Sequence, residues 1–230
     1  MNKLFAMILL MSLVATSCGG SGGGSGDSGA SSEQTTQPAT GDTENNDSNS
    51  GGGTTTPPSS VPALALSFKT NVNYLSGFSQ SDEQKYDKAV ALVKKVVATE
   101  AFRKKVLNHT YGGSKTFVQN NGLSNAQIYQ AILDAAEKLT PAKNNTMDVG
   151  VKLYYTNNSV VGYTNGSITY INVNTKFFNS YGIHEVAGNL FHEWLHKLGY
   201  GHDSNATARR PYSVPYVVGY MIRDIGKSFL

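Results

Sequence analysis

His192-Glu193-Trp194-Leu195-His196-Lys197-Leu198-Gly199-Tyr200-Gly201-His202-Asp203 is the one run in this 230-residue chain whose residue types and spacing demand a chemistry. On an α-helix, positions four apart differ by about 40° of rotation and about 6 Å of rise, so His192 and His196 project from one face toward one point. Two imidazoles so placed can share a metal ion. Glu193 is turned about 100° off that line, which suits a carboxylate that handles metal-bound water rather than the metal, and makes it the candidate general base. Gly199 can take the left-handed conformation that ends a helix and turns the chain. His202 can then return to the same ion from outside the helix, which completes a three-histidine set.

Zinc suits this set, because three neutral imidazoles leave one tetrahedral position open for water, the mark of a catalytic rather than a structural site. Bound zinc lowers the pKa of water toward about 7 and so supplies a nucleophile at neutral pH. At this chain's own residue frequencies the five fixed positions match by chance with a probability on the order of 10⁻⁵ per chain. The pattern resembles the metzincin clan of zinc endopeptidases, whose signature H-E-x-x-H-x-x-G-x-x-H is matched by His192, Glu193, His196, Gly199 and His202. Asp203 adds to the likeness, since some members carry Asp after the third histidine. The resemblance spans 12 residues directly. It implies an α+β domain with a small mixed sheet, backing helices, a zinc-binding active-site helix and a short C-terminal lower subdomain.

The N-terminal part reads differently. Residues 1–17 hold one cation, Lys3, an apolar run from Leu4 to Val14, and the small residues Ala15, Thr16 and Ser17 before Cys18. This is the pattern of a secretory signal, too short for a spanning helix. Cys18 is the sole cysteine, so no intramolecular disulfide can form. Its context resembles a bacterial lipobox, which implies a lipid anchor at Cys18 and a place in the cell envelope facing the periplasm or the exterior; a plain secretory signal is the alternative. Residues 18–60 form a Gly/Ser/Thr-rich linker expected to be disordered. The linker carries Asp27, Glu33, Asp42, Glu44 and Asp47 and no base. Residues 61–230 hold 18 Lys plus Arg against 11 Asp plus Glu, a formal charge of +7. No nucleic-acid motif accompanies that charge, and a solvated basic helix face accounts for it.

The 170 residues from 61 to 230 suffice for one domain with a core. Residues 61–68 read as a strand entering it. Tyr86, Val90, Val93 and Val97 recur at helical spacing within a helix expected over 82–107. A second helix is expected to start at Ser124, where Gln127 completes a capping box, and to stop before Pro141. Strands are expected at 149–155, 160–164 and 168–173, with Asn165-Gly166 as a hairpin turn. In metzincins an antiparallel edge strand receives the extended substrate. Residues 160–164 either play that part or form an ordinary interior hairpin, so Gly162 and Tyr163 are candidate substrate contacts.

The motif helix is expected to begin near Ile183 with Val186, Leu190, Trp194, Leu195 and Leu198 buried. Gly188 in mid-helix hints at close approach by another element. Glu185 and Asn189 either support a zinc ligand or belong to an exposed helix start, and His109 and His184 lie outside the motif. Beyond Asp203, Met221 is either the methionine of a turn beneath the zinc or a core residue of a C-terminal helix. Arg223, two residues on, stands where some families carry a tyrosine. Residues 209–216 are a stiff segment from which Tyr212 or Tyr216 could assist an oxyanion, with a structural role the alternative for each. The resulting expectation is a zinc metalloendopeptidase acting on peptides or proteins. A non-catalytic zinc-binding or adhesive envelope lipoprotein, and a zinc hydrolase of cell-wall peptides, are the competing readings.

Overall fold

The computed structural model describes residues 62–65, 67–138, 144–165 and 168–230. The signal segment, Cys18, the linker, Leu139, Pro141 and Gly166 lie outside the described residues. The chain folds as a mixed α+β domain around a four-stranded sheet of order β1-β2-β4-β3. The strands are β1 (Lys69–Ser76), β2 (Thr146–Tyr154), β3 (Gly162–Tyr163) and β4 (Tyr170–Asn174). β2 pairs in parallel with both β1 and β4, while β3 runs antiparallel to β4 and forms one edge.

Alternation along the strands gives the sheet its two faces. Met147, Val149, Val151 and Leu153 on β2, with Ile171 and Val173 on β4, are all buried in a single core. Their neighbours on the other face include the exposed Lys152 and the half-buried Tyr154 and Tyr170. Gly150 lies between Tyr74 and Tyr170, whose Cβ atoms would stand 2.9 Å and 3.3 Å from any Cβ added to it.

Six α-helices lie among the described residues: α1 (Gln80–Val97), α2 (Glu100–Leu107), α3 (Asn125–Leu133), α4 (Thr175–Ser180), α5 (Ile183–Lys197) and α6 (Val214–Gly226). None is long and apolar enough to cross a membrane. The helix expected over 82–107 is two helices. Thr99 breaks it by leaving helical geometry (φ −91°, ψ 145°) and capping the second piece, its Oγ1 accepting from the Phe102 N–H at 3.1 Å. Ser79 and Ser124 cap α1 and α3, and the Ser124–Gln127 box expected from sequence is present.

α3 ends at Leu133, short of the expected stop. Ala135 there takes φ +46°, and the chain turns so that the carboxylate of Glu137 reaches beneath α5. None of the described residues among 61–68 lies in a strand: Ala65 and Phe68 enter the core, and pairing starts at Lys69. The mostly exposed β1 owes its place to backbone pairing rather than to an apolar face. The expected 160–164 strand is reduced to Gly162–Tyr163.

α5 and α6 pack against each other at two glycines, Gly188 and Gly219. An added Cβ on Gly188 would lie 2.9 Å from both the Gly219 carbonyl oxygen and the Arg223 Cβ, so the close approach anticipated at Gly188 is to α6. Met221 lies within the continuous α6 and packs partly buried against the core, which is the helical of its two readings.

Candidate metal centre

α5 carries the first two histidines because its opposite side is apolar. Val186, Ala187, Leu190, Phe191, Trp194 and Leu195 are buried, and this locks the rotation of the helix so that His192 and His196 emerge together. Glu185 accepts from the Gly182 N–H at 2.7 Å and so is engaged at the helix start rather than at a metal ligand. After Lys197 the helix ends, Gly199 takes φ +95°, and the chain turns back to bring in His202.

The three imidazoles converge. Ring centroids stand 5.1 Å apart for His192 and His196, 5.3 Å for His192 and His202, and 4.8 Å for His196 and His202. One ligand nitrogen from each lies within 4.8 Å of the others. Two of the rings are also held from behind by a backbone carbonyl. His196 Nδ1 is 2.7 Å from the Tyr200 oxygen, and His202 Nδ1 is 3.1 Å from the Asp203 oxygen. A neutral imidazole that donates through one nitrogen presents a lone pair on the other, the arrangement of a metal-ligating histidine.

Electrostatics favour that neutral form. Burial, then the neighbouring imidazoles, hold His192 well below the ordinary imidazole range, and burial with the nearby His202 pushes His196 down to about 4. Burial also lowers His202, aided by the positive charge of Arg210. Three neutral nitrogen donors at neutral pH, two of them oriented by a carbonyl, could hold a metal ion.

Glu193 points elsewhere, as its spacing requires. It is buried against the edge strand, where a Cβ added to Gly162 would lie 3.2 Å from Glu193 Oε1 and 3.2 Å from Asn189 Oδ1. Desolvation pushes its carboxyl up to about 8. Gly162 therefore faces the carboxylate, while Tyr163 alternates to the other face, packs edge-on against Tyr154 at 5.6 Å and is partly exposed.

Of the supporting candidates, Tyr216 is brought to the site. It stands in the first turn of α6 with its ring 4.6 Å from His192 and 4.9 Å from His202, and the buried Arg210 guanidinium covers it at 5.1 Å. The Asp203 side chain is engaged by other partners, accepting from Gln119 Nε2 at 2.8 Å and Thr207 Oγ1 at 2.5 Å and pairing with Arg209 at 3.5 Å. Tyr212 packs at a tilt against Tyr111, with ring centroids 5.1 Å apart. Outside the cluster, His109 lies 4.3 Å from Phe117, and the ring of His184 packs at the Gly182 turn.

Sequence reasoning missed the residues that brace this site. Glu137 Oε1 accepts from the Trp194 indole N–H and from the Asp148 N–H, and the buried Lys197 ammonium donates to the Thr169 carbonyl at 2.6 Å. Gln119 and Asn121 hold the loop of the third ligand. The only local signal for the latter was the Asn-Gly turn pair at 121–122. Compared with family models, with curated proteins and with solved structures, the chain finds no match.

Proposed function

We propose that the chain is a zinc-dependent endopeptidase in which His192, His196 and His202 hold one zinc ion and Glu193 is the general base. The observation that carries this reading is the pairing of a three-imidazole donor set with a buried carboxylate that belongs to the same helix turn but faces the edge strand. When bound there, zinc polarises an amide carbonyl, acidifies water and, as a cation, favours the ionised form of Glu193. Glu193 accepts the proton of the attacking water and delivers it to the departing amine nitrogen. Tyr216, beside two of the imidazoles, bounds the space in which the carbonyl turns tetrahedral.

β3 supports a peptide as substrate. It is the terminal strand of the sheet and is paired on one side only, next to Glu193, so an extended chain added along it passes the carboxylate. A zinc-capturing or adhesive protein has no use for that carboxylate. On the sequence at Cys18 we further propose a lipid anchor in a bacterial envelope. The likeness to metzincins rests on the five signature positions.

Glu193→Gln tests the reading. The amide nearly matches the carboxylate in shape and is no ligand, so zinc content should stay at one per chain. Turnover of a broad peptide library should fall by at least about 10²- to 10⁴-fold, the range of general acid-base catalysis. Equal, chelator-insensitive cleavage by both proteins would place the activity elsewhere, and no cleavage by either would favour a binding protein.

A further inference from the structure

The carbonyls that orient His196 and His202 lie on Gly199–Asp203, Tyr216 beside the imidazoles stands in the first turn of α6, and one short segment reaches both pieces of chain. That segment is 118–121. The Val118 N–H donates to the Tyr212 carbonyl at 2.9 Å, and Val118 forms a parallel bridge with Ser213, directly before α6. Gln119 Nε2 donates to Asp203 Oδ1 at 2.8 Å, and Asn121 Nδ2 donates to the Gly199 carbonyl at 3.1 Å. Asp203 bears the carbonyl bonded to His202, and Gly199 directly precedes Tyr200, whose carbonyl is bonded to His196.

The backbone shows what these contacts cost. Gln119 and Asn121 both sit in the left-handed region, at φ 54° and φ 55°. Asparagine tolerates that conformation and glutamine seldom takes it. Strain of this kind persists only where the surroundings over-determine it. Asn120, between them, serves the turn itself, donating to Thr116 Oγ1 at 2.9 Å and accepting from the Gly122 N–H at 3.0 Å. Gln119, which is strained there, and Asn121, which is not, are the two residues whose side chains reach outward to the ligand loop. A purely local turn would need neither.

We propose that Gln119 and Asn121 are positioning residues of the metal site, which act through Asp203 and Gly199 to hold the ligand loop and its orienting carbonyls in the metal-ready arrangement. This rests on the metal-site reading above. Removal of a partner bonded directly to a ligand typically costs about 10- to 100-fold in metal affinity, and Gln119 and Asn121 act one step further out, so the lower end of that range is the expected ceiling. Strain relief separates this role from simple structural support. Replacing either residue by glycine removes the clasping side chain, and at Gln119 it also removes the penalty of the left-handed backbone.

The test uses the full chain, with Zn²⁺ titrated against a competing chelator and Co²⁺ as a visible-absorption probe of coordination. The variants are Gln119→Gly, Asn121→Gly and both together. The double variant should bind Zn²⁺ several-fold, up to about 10-fold, more weakly than the wild type, with an altered Co²⁺ spectrum and an apo thermal midpoint equal or higher. Gln119→Glu, which sets carboxylate against carboxylate, should weaken binding too. Adding Asp203→Asn to it restores a donor–acceptor pair and should recover part of the loss. Affinities within twofold of a wild type that takes up one Zn²⁺ would overturn the proposal and leave the metal site standing. Loss of the apo fold in the glycine variants would assign the segment a structural role and also overturn it. A wild type that takes up no Zn²⁺ would remove both readings together.

Discussion

Two of the three clustered histidines stand on a helix and the third stands on a loop, and the molecule secures the two kinds by different means. His192 and His196 inherit their geometry from the helix repeat, and the helix is braced from behind by buried polar groups. Trp194, between the two ligands in sequence, donates its indole N–H to Glu137, and Lys197 donates to the Thr169 carbonyl. His202 has no such inheritance. Its loop is held at both ends by half-exposed or exposed side chains from a segment about 80 residues earlier in the chain, Gln119 to Asp203 and Asn121 to Gly199. Helix geometry is set locally and sequence spacing records it, whereas loop geometry is borrowed from elsewhere and leaves little local trace.

Removing one ligand from each kind gives the largest effect. His202→Ala leaves an imidazole pair on a single helix, already spaced for one ion. His196→Ala leaves a pair split between helix and loop. Both variants should lose more than the about 10- to 100-fold that an outer partner's loss costs, and Zn²⁺ affinity should rank wild type, then His202→Ala, then His196→Ala. Chelator competition on the purified variants measures the order. A reversed order would show that the helix pair is not the better preorganised half.

The same division explains what could be read before the fold was in hand. The helix over Ile183–Lys197, the burial of Trp194, the shared face of His192 and His196 and the close approach at Gly188 follow from local spacing, the return of His202 has only the glycine at 199 as its local signal, and all are present. The parallel pairing of β2 with β4 and the break at Thr99 were not legible, because strand order and a cap in mid-periodicity depend on contacts far along the chain. Residues 61–68 misled because a short apolar run marks burial equally well as strand or as core-facing loop. Glu137 and Gln119 were invisible for a related reason: a lone polar residue acquires its meaning from a partner that spacing does not name.

A smaller effect is expected at the joint between the two regions. Gly199 has φ +95°, and a Cβ placed there would fall 2.1 Å from Lys138 Cε. The lysine can swing aside, so the backbone conformation sets the cost. Gly199→Ala should destabilise the apo protein by about 1–2 kcal/mol, the penalty of left-handed geometry for a residue with a Cβ. It should also weaken Zn²⁺ binding, since the loop that starts there carries His202 and the Tyr200 carbonyl. Thermal melts with and without Zn²⁺ separate the two effects. A variant as stable as the wild type would mean that the loop relaxes into another turn.

The smallest effect probes the buried brace through pH. Desolvation raises the Glu137 carboxyl above its ordinary value, against the lowering pull of its hydrogen bonds from Trp194 and Asp148 and of the Lys197 charge. Between the unfolded and folded values the native state therefore binds more protons at this position than the unfolded chain does. Stability drawn from Glu137 is accordingly full below the unfolded value of about 4.5 and declines as pH rises through the folded one. Glutamine has no proton to lose, and its Oε1 can keep both accepted hydrogen bonds. Glu137→Gln should thus look better relative to the wild type at pH 7 than at pH 4, a comparison made on apo protein by denaturant unfolding at the two values. The opposite slope would mean that the Lys197 ammonium and the hydrogen bonds from Trp194 and Asp148 outweigh desolvation at Glu137.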